Sequence, residues 1–480
     1  MKICIVAEGC YPYVVGGVSS WIHSLIQSFP GHEFVILAIV ADRSMRGEFS
    51  YDLPDNVEEV YEVYLNDYDW SGRDRNSKSR VHLKKKESAA LMSLILNENI
   101  DWDTIFEMFN NPGLSINDLL MGMDFLQCVK ETYKKKYSQI VFSDFLWTMR
   151  SIYLPMFLIL KADVPKADMY HCVATGYAGL LGCMAKHRYG CGLLISEHGI
   201  YTREREEELI KAKWVQGIYK NLWIEQFRKM SAVAYQRAQL ITSLYDHARG
   251  LQIELGAPPE KLLVTPNGIN ASRFADIPTK RPEDRQYVNI GAVLRVTPIK
   301  DVKTMIRAFY YAKQEVPWLK LWIMGPTDED QKYADECVEL VDTMHLSDVV
   351  FTGRVDVSDY LGRMDCTILT SISEGQPLTI LEGYAAKKPA IATDVGNCRG
   401  LIEGEWDDYG PAGIVTHIMS VEEISQAMIR MGRDRDMRHT MGENGYKRLM
   451  SGYKIEDMRQ VYYNIYSDFE TEARERADYK

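Results

Sequence analysis

The sequence predicts an α/β protein made of two doubly wound halves, and three observations carry that expectation. Short, almost wholly apolar runs alternate with longer amphipathic stretches along most of the chain. This is the pattern of parallel strands joined by crossover helices. The alternation halts at residues 271–286, rich in proline and charge, and then begins afresh. The chain has 480 residues, 46% hydrophobic and 26% charged. At roughly 100–200 residues per domain, that is material for two to four packed domains.

The first half opens with a buried strand at 2–7, a glycine-bearing loop and an amphipathic helix from about Ser19. After FPGH a second strand runs 33–40, completing a β-loop-α-β unit. Residues 44–137 are charged and interrupted, with helices expected near 87–97 and 115–136, and read as an insertion. Alternation returns with helix 144–161, strand 168–173, helix 177–188 and strand 192–198. A long helical stretch 203–238 precedes strand 239–243, helix 244–255 and strand 261–268.

Residues 271–286 have linker composition. Beyond them come strand 288–294, helix 301–314, strand 319–325, helix 330–344 and strand 348–353. Strand 366–371, helix 377–387, strands 389–394 and 413–417, and helices from 421 to the end complete the second half. The expected domains are 1–282 and 283–455, with a C-terminal helix 456–480 crossing back to the first. Two such halves should hold a ligand in the cleft they face, at the carboxyl ends of their strands.

The net charge of -11 argues against a general nucleic-acid binder, because phosphate neutralisation needs a basic surface. Nine cysteines without a C-x-x-C pair give no support to a zinc ribbon or a redox motif, and suit a reduced compartment. The N-terminus carries Glu8, Pro12 and two glycines, unlike a secretory signal. The apolar run 152–160 is too short to span a bilayer. The expectation is a cytoplasmic protein. Basic runs at 84–86 and 134–136 are most simply solvated faces, and they leave room for contact with the inner face of the cell membrane.

Four features carry chemistry. Glu374 and Glu382 have seven residues between them, the first on a strand-end loop and the second inside the following helix. Two such carboxylates can bind two hydroxyl-bearing parts of one ligand, with backbone N–H groups of Gly375, Gln376, Pro377 and Leu378 holding an anion between them. The same acids would also suit an ordinary helix start, where each is worth about 0.3–1 kcal/mol. Arg295 and Lys300 follow strand 288–294 and could face that helix start, making a pocket for a diphosphate. Gly16 and Gly17 open a helix after the first strand, where backbone can approach a phosphate or sugar. They do not match the dinucleotide fingerprint G-x-G-x-x-G. His171 and His198 lie at neighbouring strand ends and could polarise a ligand hydroxyl or carbonyl.

In this order the four features resemble the retaining GT-B glycosyltransferases of family GT4, which have a G-G loop, an R-x4-K pair and an E-x7-E motif. The strings GHEFVIL (31–37) and TPNGIN (265–270) look like family landmarks, although Asn270 stands where the family more often has Asp. The resemblance covers nearly the whole chain, least well 44–137. AEGCYPYVVGGVSSWIHSLI and SEHGIYTRERE further resemble PelF-type transferases of Pel exopolysaccharide synthesis.

The resemblance implies a GT-B fold of two Rossmann-like domains. It implies UDP-glucose as donor, UDP as product, a glycan acceptor and a membrane-bound exopolysaccharide synthase complex as partner. It implies that Arg295 and Lys300 hold the donor diphosphate, Glu374 orients the sugar beside the 375–378 amides, and Glu382 binds the ribose. Gly17, beside Gly16, would contact phosphate, His198 would reach the sugar or reacting centre, and Arg354 would lie near the base. With two cations and helix amides for the leaving group, no cofactor or divalent ion is required. The D-x-D strings at 67–69, 101–103, 328–330 and 434–436 are near chance in so acidic a chain. Retention without an obvious nucleophile implies front-face attack. The alternatives are a catalytically inactive nucleotide-sugar-binding module, or a GT-B synthase or phosphorylase acting on a sugar phosphate.

Overall fold

The structure, a computed structural model, describes residues 1–66, 82–215 and 217–478. The chain divides into two compact units, Met1–Val264 with Tyr463–Lys480, and Thr265–Tyr462.

The first unit is built on seven parallel strands: β1 (Lys2–Glu8), β2 (Glu33–Val40), β3 (Val57–Tyr64), β4 (Met169–Cys172), β5 (Gly192–Glu197), β6 (Leu240–Ser243) and β7 (Leu262–Val264). Their order is β3-β2-β1-β4-β5-β6-β7. The chain winds outward from β1 to β3 and returns on the other side with β4, so β1 and β4 flank the point where the winding reverses. Loops at such a point leave a crevice at the strands' carboxyl ends.

The insertion expectation is corrected at β3. Residues 57–64 pair with β2 from Phe34 to Val40 and extend the sheet. The strand was hidden because Glu58, Glu59 and Glu62 break up its apolar residues, as an edge exposed on one side allows. The single helix expected over 115–136 is divided at Gly122 into Ile116–Met121 and Met123–Thr132. The long stretch 203–238 is likewise two helices, Tyr201–Lys211 and Ile218–Arg237. The apolar run 152–160 lies inside helix Phe142–Lys161, where Ile152, Met156, Phe157, Ile159 and Leu160 are core residues. Among the described residues no helix is long and apolar enough to cross a membrane.

The second unit has six parallel strands: β8 (Val288–Val293), β9 (Leu319–Met324), β10 (Val349–Gly353), β11 (Cys366–Leu369), β12 (Ala390–Thr393) and β13 (Gly413–Thr416). Their order, β10-β9-β8-β11-β12-β13, puts the reversal between β8 and β11. Ile368 and Ile391 point into one core, and Leu369, Ala390 and Ala392 into the other. This is the period-two alternation of a sheet covered on both faces.

The compact units meet at Val264/Thr265, before the proline-rich segment. That segment packs on the second unit. Ile269 exchanges backbone hydrogen bonds with Tyr453 and Ile455, each 3.0 Å. Phe274 is buried in the core that holds Leu361 and Leu381. Asp284, 2% exposed, accepts from Arg363 at 2.8 Å and lies 3.5 Å from Lys320. Charges that read as linker composition are thus fixed ion pairs. The C-terminal helix Ile455–Asp478 starts in the second unit, and from Tyr463 onward it belongs to the first.

Candidate active site

The β8–β11 reversal brings together two loops, one carrying Arg295 and Lys300 and the other Glu374 to Pro377. After β8 the chain passes Arg295 and reaches Lys300 at the end of the short 3-10 turn Pro298–Lys300. Thr370 Oγ1 donates to the Lys300 carbonyl at 2.9 Å, and the Ile372 amide donates to the Ile299 carbonyl at 2.8 Å. These bonds tie the Lys300 turn to the end of β11, just ahead of Glu374. Lys300 Nζ then donates to Glu374 Oε1 at 2.5 Å, with both side chains largely buried.

Helix Leu378–Ala385 begins immediately beyond. The N–H groups of Leu378 and Thr379 have no carbonyl partner within the helix, and its dipole favours an anion there. One detail of the expected anion cradle is corrected. Pro377, the residue that caps the helix, has no N–H to offer. The Gln376 side chain has a role of its own, accepting from the Asn267 amide at 2.9 Å and donating to the Asn267 carbonyl at 3.1 Å. It clamps the TPNG loop to the Glu374 loop. On the other side, Asn397 N donates to the Gly375 carbonyl at 2.8 Å.

Glu382 is the fifth residue of that helix. Its carboxylate makes no hydrogen bond or ion pair among the described residues. Burial pushes its pKa up to about 7, Arg273 opposing and Asp356 adding to the shift. Thr297 Oγ1 and Ser371 Oγ, on the same two loops, are buried without partners. Polar groups left this way are costly unless something else bonds them.

Arg295 is placed differently from Lys300. Its Nη1 donates to both carboxylate oxygens of Glu329, at 2.7 and 2.6 Å, on the loop after β9. Arg354 is exposed on the loop after β10. Each described D-x-D string contains a helix cap: Asp101 accepts from the Thr104 amide, Asp330 from Tyr333 and Asp434 from Met437. The string at 67–69 lies outside the described residues.

In the first unit, Gly16 caps helix Gly17–Ser28, which starts after β1. Neither Gly16 nor Gly17 has a positive φ, and a Cβ on either would meet nothing within 4 Å. The protein's own packing therefore does not require glycine at either position. His198 follows β5, with its ring edge-on to Trp21 at 4.3 Å between centroids. Its Nε2 is buried with no partner. His171 is different: Nδ1 lies 2.9 Å from Tyr466 Oη and Nε2 2.7 Å from Ser196 Oγ. Burial drives the His171 pKa down to about 3, and both nitrogens serve the core.

Residues 1–260 match the family model described as "Domain of unknown function (DUF3492)", and residues 274–448 match "Glycosyl transferases group 1". The chain belongs to the DUF3492 family, with a group 1 glycosyltransferase domain as its second unit. The chain is 24% identical over 322 residues to the UDP-Gal:alpha-D-GlcNAc-diphosphoundecaprenol alpha-1,3-galactosyltransferase of Escherichia coli, covering 64% of this chain and 76% of that one. Among solved structures it is similar to HepE of Anabaena in complex with UDP-glucose (TM-score 0.61, 14% identity, 98% of this chain and 100% of that one). Sucrose-phosphate synthase of Thermosynechococcus elongatus is similar to the same degree (TM-score 0.61, 13% identity, 98% and 99%). At such identities the likeness is one of fold. The fold is the expected GT-B class, two parallel Rossmann-like sheets.

Three groups escaped the sequence reading. Glu329 was legible only as the middle of a D-x-D string. Thr379 was overlooked as the amide that Pro377 cannot supply. Glu197 precedes His198, and nothing in the spacing marks it as more than a strand residue.

Proposed function

We propose that this protein is a retaining hexosyltransferase that moves glucose from UDP-glucose to a growing exopolysaccharide or other glycan, without a metal ion. The observation that carries the reading is the Lys300–Glu374 pair at the start of a helix whose fifth residue, Glu382, is unpartnered. In this reading the donor diphosphate lies against the amides of Leu378 and Thr379. It competes with Glu374 for Lys300 and with Glu329 for Arg295, an exchange of one anion for another. Glu374, so released, accepts hydrogen bonds from hydroxyls of the donor sugar. Glu382 accepts from the ribose, and Arg354 borders the base.

Transfer breaks the bond between the sugar's anomeric carbon and the diphosphate oxygen. It forms a bond from that carbon to an acceptor hydroxyl oxygen on the same face. The hydroxyl proton passes to the departing phosphate oxygen, so the anomeric configuration is kept. Lys300, Arg295 and the helix amides stabilise the charge that grows on the leaving group. The resemblance assigns Gly17 to the phosphate and His198 to the sugar.

UDP-glucose is supported by the PelF-type resemblance, and by the fold shared with HepE, solved with UDP-glucose. The resemblance also supports a membrane-bound synthase complex as partner. The test is slow hydrolysis of nucleotide sugars by the purified protein. UDP-glucose should be cleaved in preference to UDP-galactose, UDP-N-acetylglucosamine and GDP-mannose, and Lys300→Ala should slow this by ~10²–10³. A protein that binds UDP-glucose without cleaving or transferring it would be a binding module. Turnover that needs a sugar phosphate acceptor would make it a synthase of that class.

A further inference from the structure

We infer that Glu197 is the positioning residue for His198: it fixes the peptide that aims His198 Nε2, and does not itself touch substrate. The inference rests on the reading of His198 above.

Glu197 ends β5 and is 4% exposed. A carboxylate so placed is tolerated only when its oxygens are hydrogen-bonded. Oε1 accepts from Thr175 Oγ1 at 3.0 Å and from the Tyr201 amide at 3.1 Å. Oε2 accepts from Tyr235 Oη at 2.6 Å and Gln252 Nε2 at 2.9 Å. The donors come from four places: the turn before helix Gly176–Tyr189, the first residue of Tyr201–Lys211, helix Ile218–Arg237 and helix Asp246–Glu254. One side chain thus joins four helices at a point one peptide bond from His198.

The next residue has the opposite character. His198 Nε2 is buried and has no hydrogen-bond partner among the described residues, while Trp21 meets the ring's side. Trp21 lies on the helix that Gly17 opens. Burial lowers the His198 pKa to about 4, so the ring is neutral at pH 7 and Nε2 can donate or accept one hydrogen bond. His171, on the neighbouring strand, shows what a histidine used for packing looks like: both ring nitrogens are engaged. A rigid support beneath an unpartnered polar atom is the arrangement that holds a reacting group in place.

The test uses the full chain and four variants: Glu197→Gln, Tyr235→Phe, His198→Ala and the double variant Glu197→Gln/His198→Ala. With UDP-glucose hydrolysis as readout, Glu197→Gln should lower kcat by about tenfold to hundredfold, because small misplacement is costly. Its UDP affinity by calorimetry should stay within about twofold of the parent. Tyr235→Phe removes one donor and should give a smaller loss of the same kind, and serves if Glu197→Gln folds poorly. Once His198 is gone, Glu197→Gln should cost nothing more. Equal losses with and without His198 would overturn the inference.

A readout independent of turnover is the nitrogen NMR signal of the His198 ring, assigned by its loss in His198→Ala. It should report one neutral tautomer in the parent and an averaged signal in Glu197→Gln and Tyr235→Phe. An unchanged signal in these variants would equally overturn the inference. If instead the signal changes as expected but His198→Ala keeps full turnover, then the reading of His198 fails and the positioning by Glu197 stands.

Discussion

Glu374 and Glu382 lie on one loop-and-helix segment, yet one is paired with Lys300 and the other has no partner. Their removal should therefore have different signatures. Glu382→Ala should weaken UDP and UDP-glucose alike by about tenfold to hundredfold, the value of a lost hydrogen bond to a charged group. Glu374→Ala frees Lys300, so UDP should bind as well as before or better, while the added affinity of the glucose moiety and the rate both fall. Calorimetry with the two ligands decides this, and equal loss of UDP affinity in both variants would reverse the assignment. A second prediction follows from burial of Glu382, whose pKa is raised from 4.5 to about 7. Between those values the folded chain holds a proton that the unfolded chain has lost. The protein alone should therefore gain stability from this group as pH falls through 7, and lose that contribution as pH rises. The ionised form is the stronger acceptor for ribose hydroxyls, so uridine binding should tighten as pH rises through 7 and release a proton. Glu382→Gln should flatten both profiles, measured by melting temperature and by calorimetry in buffers of different ionisation enthalpy. The two carboxylates and two cations were legible as residue types, three at strand ends and Glu382 in the helix that follows. Which cation meets which acid was not, because Lys300–Glu374 and Arg295–Glu329 depend on loops far apart in the chain.

At the scale of elements, two glycines make opposite demands. Gly396 has φ +53, and a Cβ there would sit 2.2 Å from the Gly375 carbonyl oxygen and 2.3 Å from that of Glu374. Its smallness lets the loop after β12 press against the Glu374 loop. Gly396→Ala should lose at least about 1–2 kcal/mol from the left-handed backbone alone, and by displacing Glu374 should lower the added affinity of the glucose moiety and the rate. Gly17, with open space around it and no positive φ, should accept alanine with stability unchanged or raised by about 0.4–1 kcal/mol. If the helix start approaches the donor, turnover in Gly17→Ala should still fall at least about tenfold. Melting curves and UDP-glucose hydrolysis on both variants test the contrast, and unimpaired turnover in Gly17→Ala would remove that loop from the site. The same scale explains where reading by pattern stopped. Core strands such as β1 and β8 are continuous apolar runs and stand out. β3 and the helices of 85–132 are half-covered elements, with charges on one side and breaks at single residues, so their boundaries depend on packing partners that periodicity does not contain.

At the scale of the whole molecule, repetition of one strand-helix alternation made the two doubly wound halves readable before any contact was known, and the resemblance supplied the GT-B class. The position of the division was not readable, because prolines and charges mark a linker only when nothing buries them. Here Asp284, Arg363 and Lys320 fasten that stretch down. The whole protein should bind UDP and UDP-glucose in the presence of a chelator. The reason is that Arg295, Lys300 and the helix amides supply the positive charge a diphosphate needs. Thermal shifts by mass action give the measurement, a ligand at 100 times its Kd adding about 2.7 kcal/mol. Loss of both binding and turnover in EDTA, restored by Mn²⁺ or Mg²⁺, would refute metal independence.

The last turns of the C-terminal helix have a consequence for how the chain is made. Tyr466 and Phe469 are buried in the first unit, where Tyr466 bonds His171 and Phe469 fills the space beside Gly192. A ribosome delivers these side chains after the whole of the second unit. The first unit therefore waits for residues 265–462 to be translated, ~10–40 s at 5–20 residues per second. During that interval the apolar bed for Tyr466 and Phe469 stays open on a nascent chain, a natural place for a chaperone to hold. A stop codon just before Tyr463 would leave that bed open permanently, in a polypeptide that still carries every residue of the candidate site.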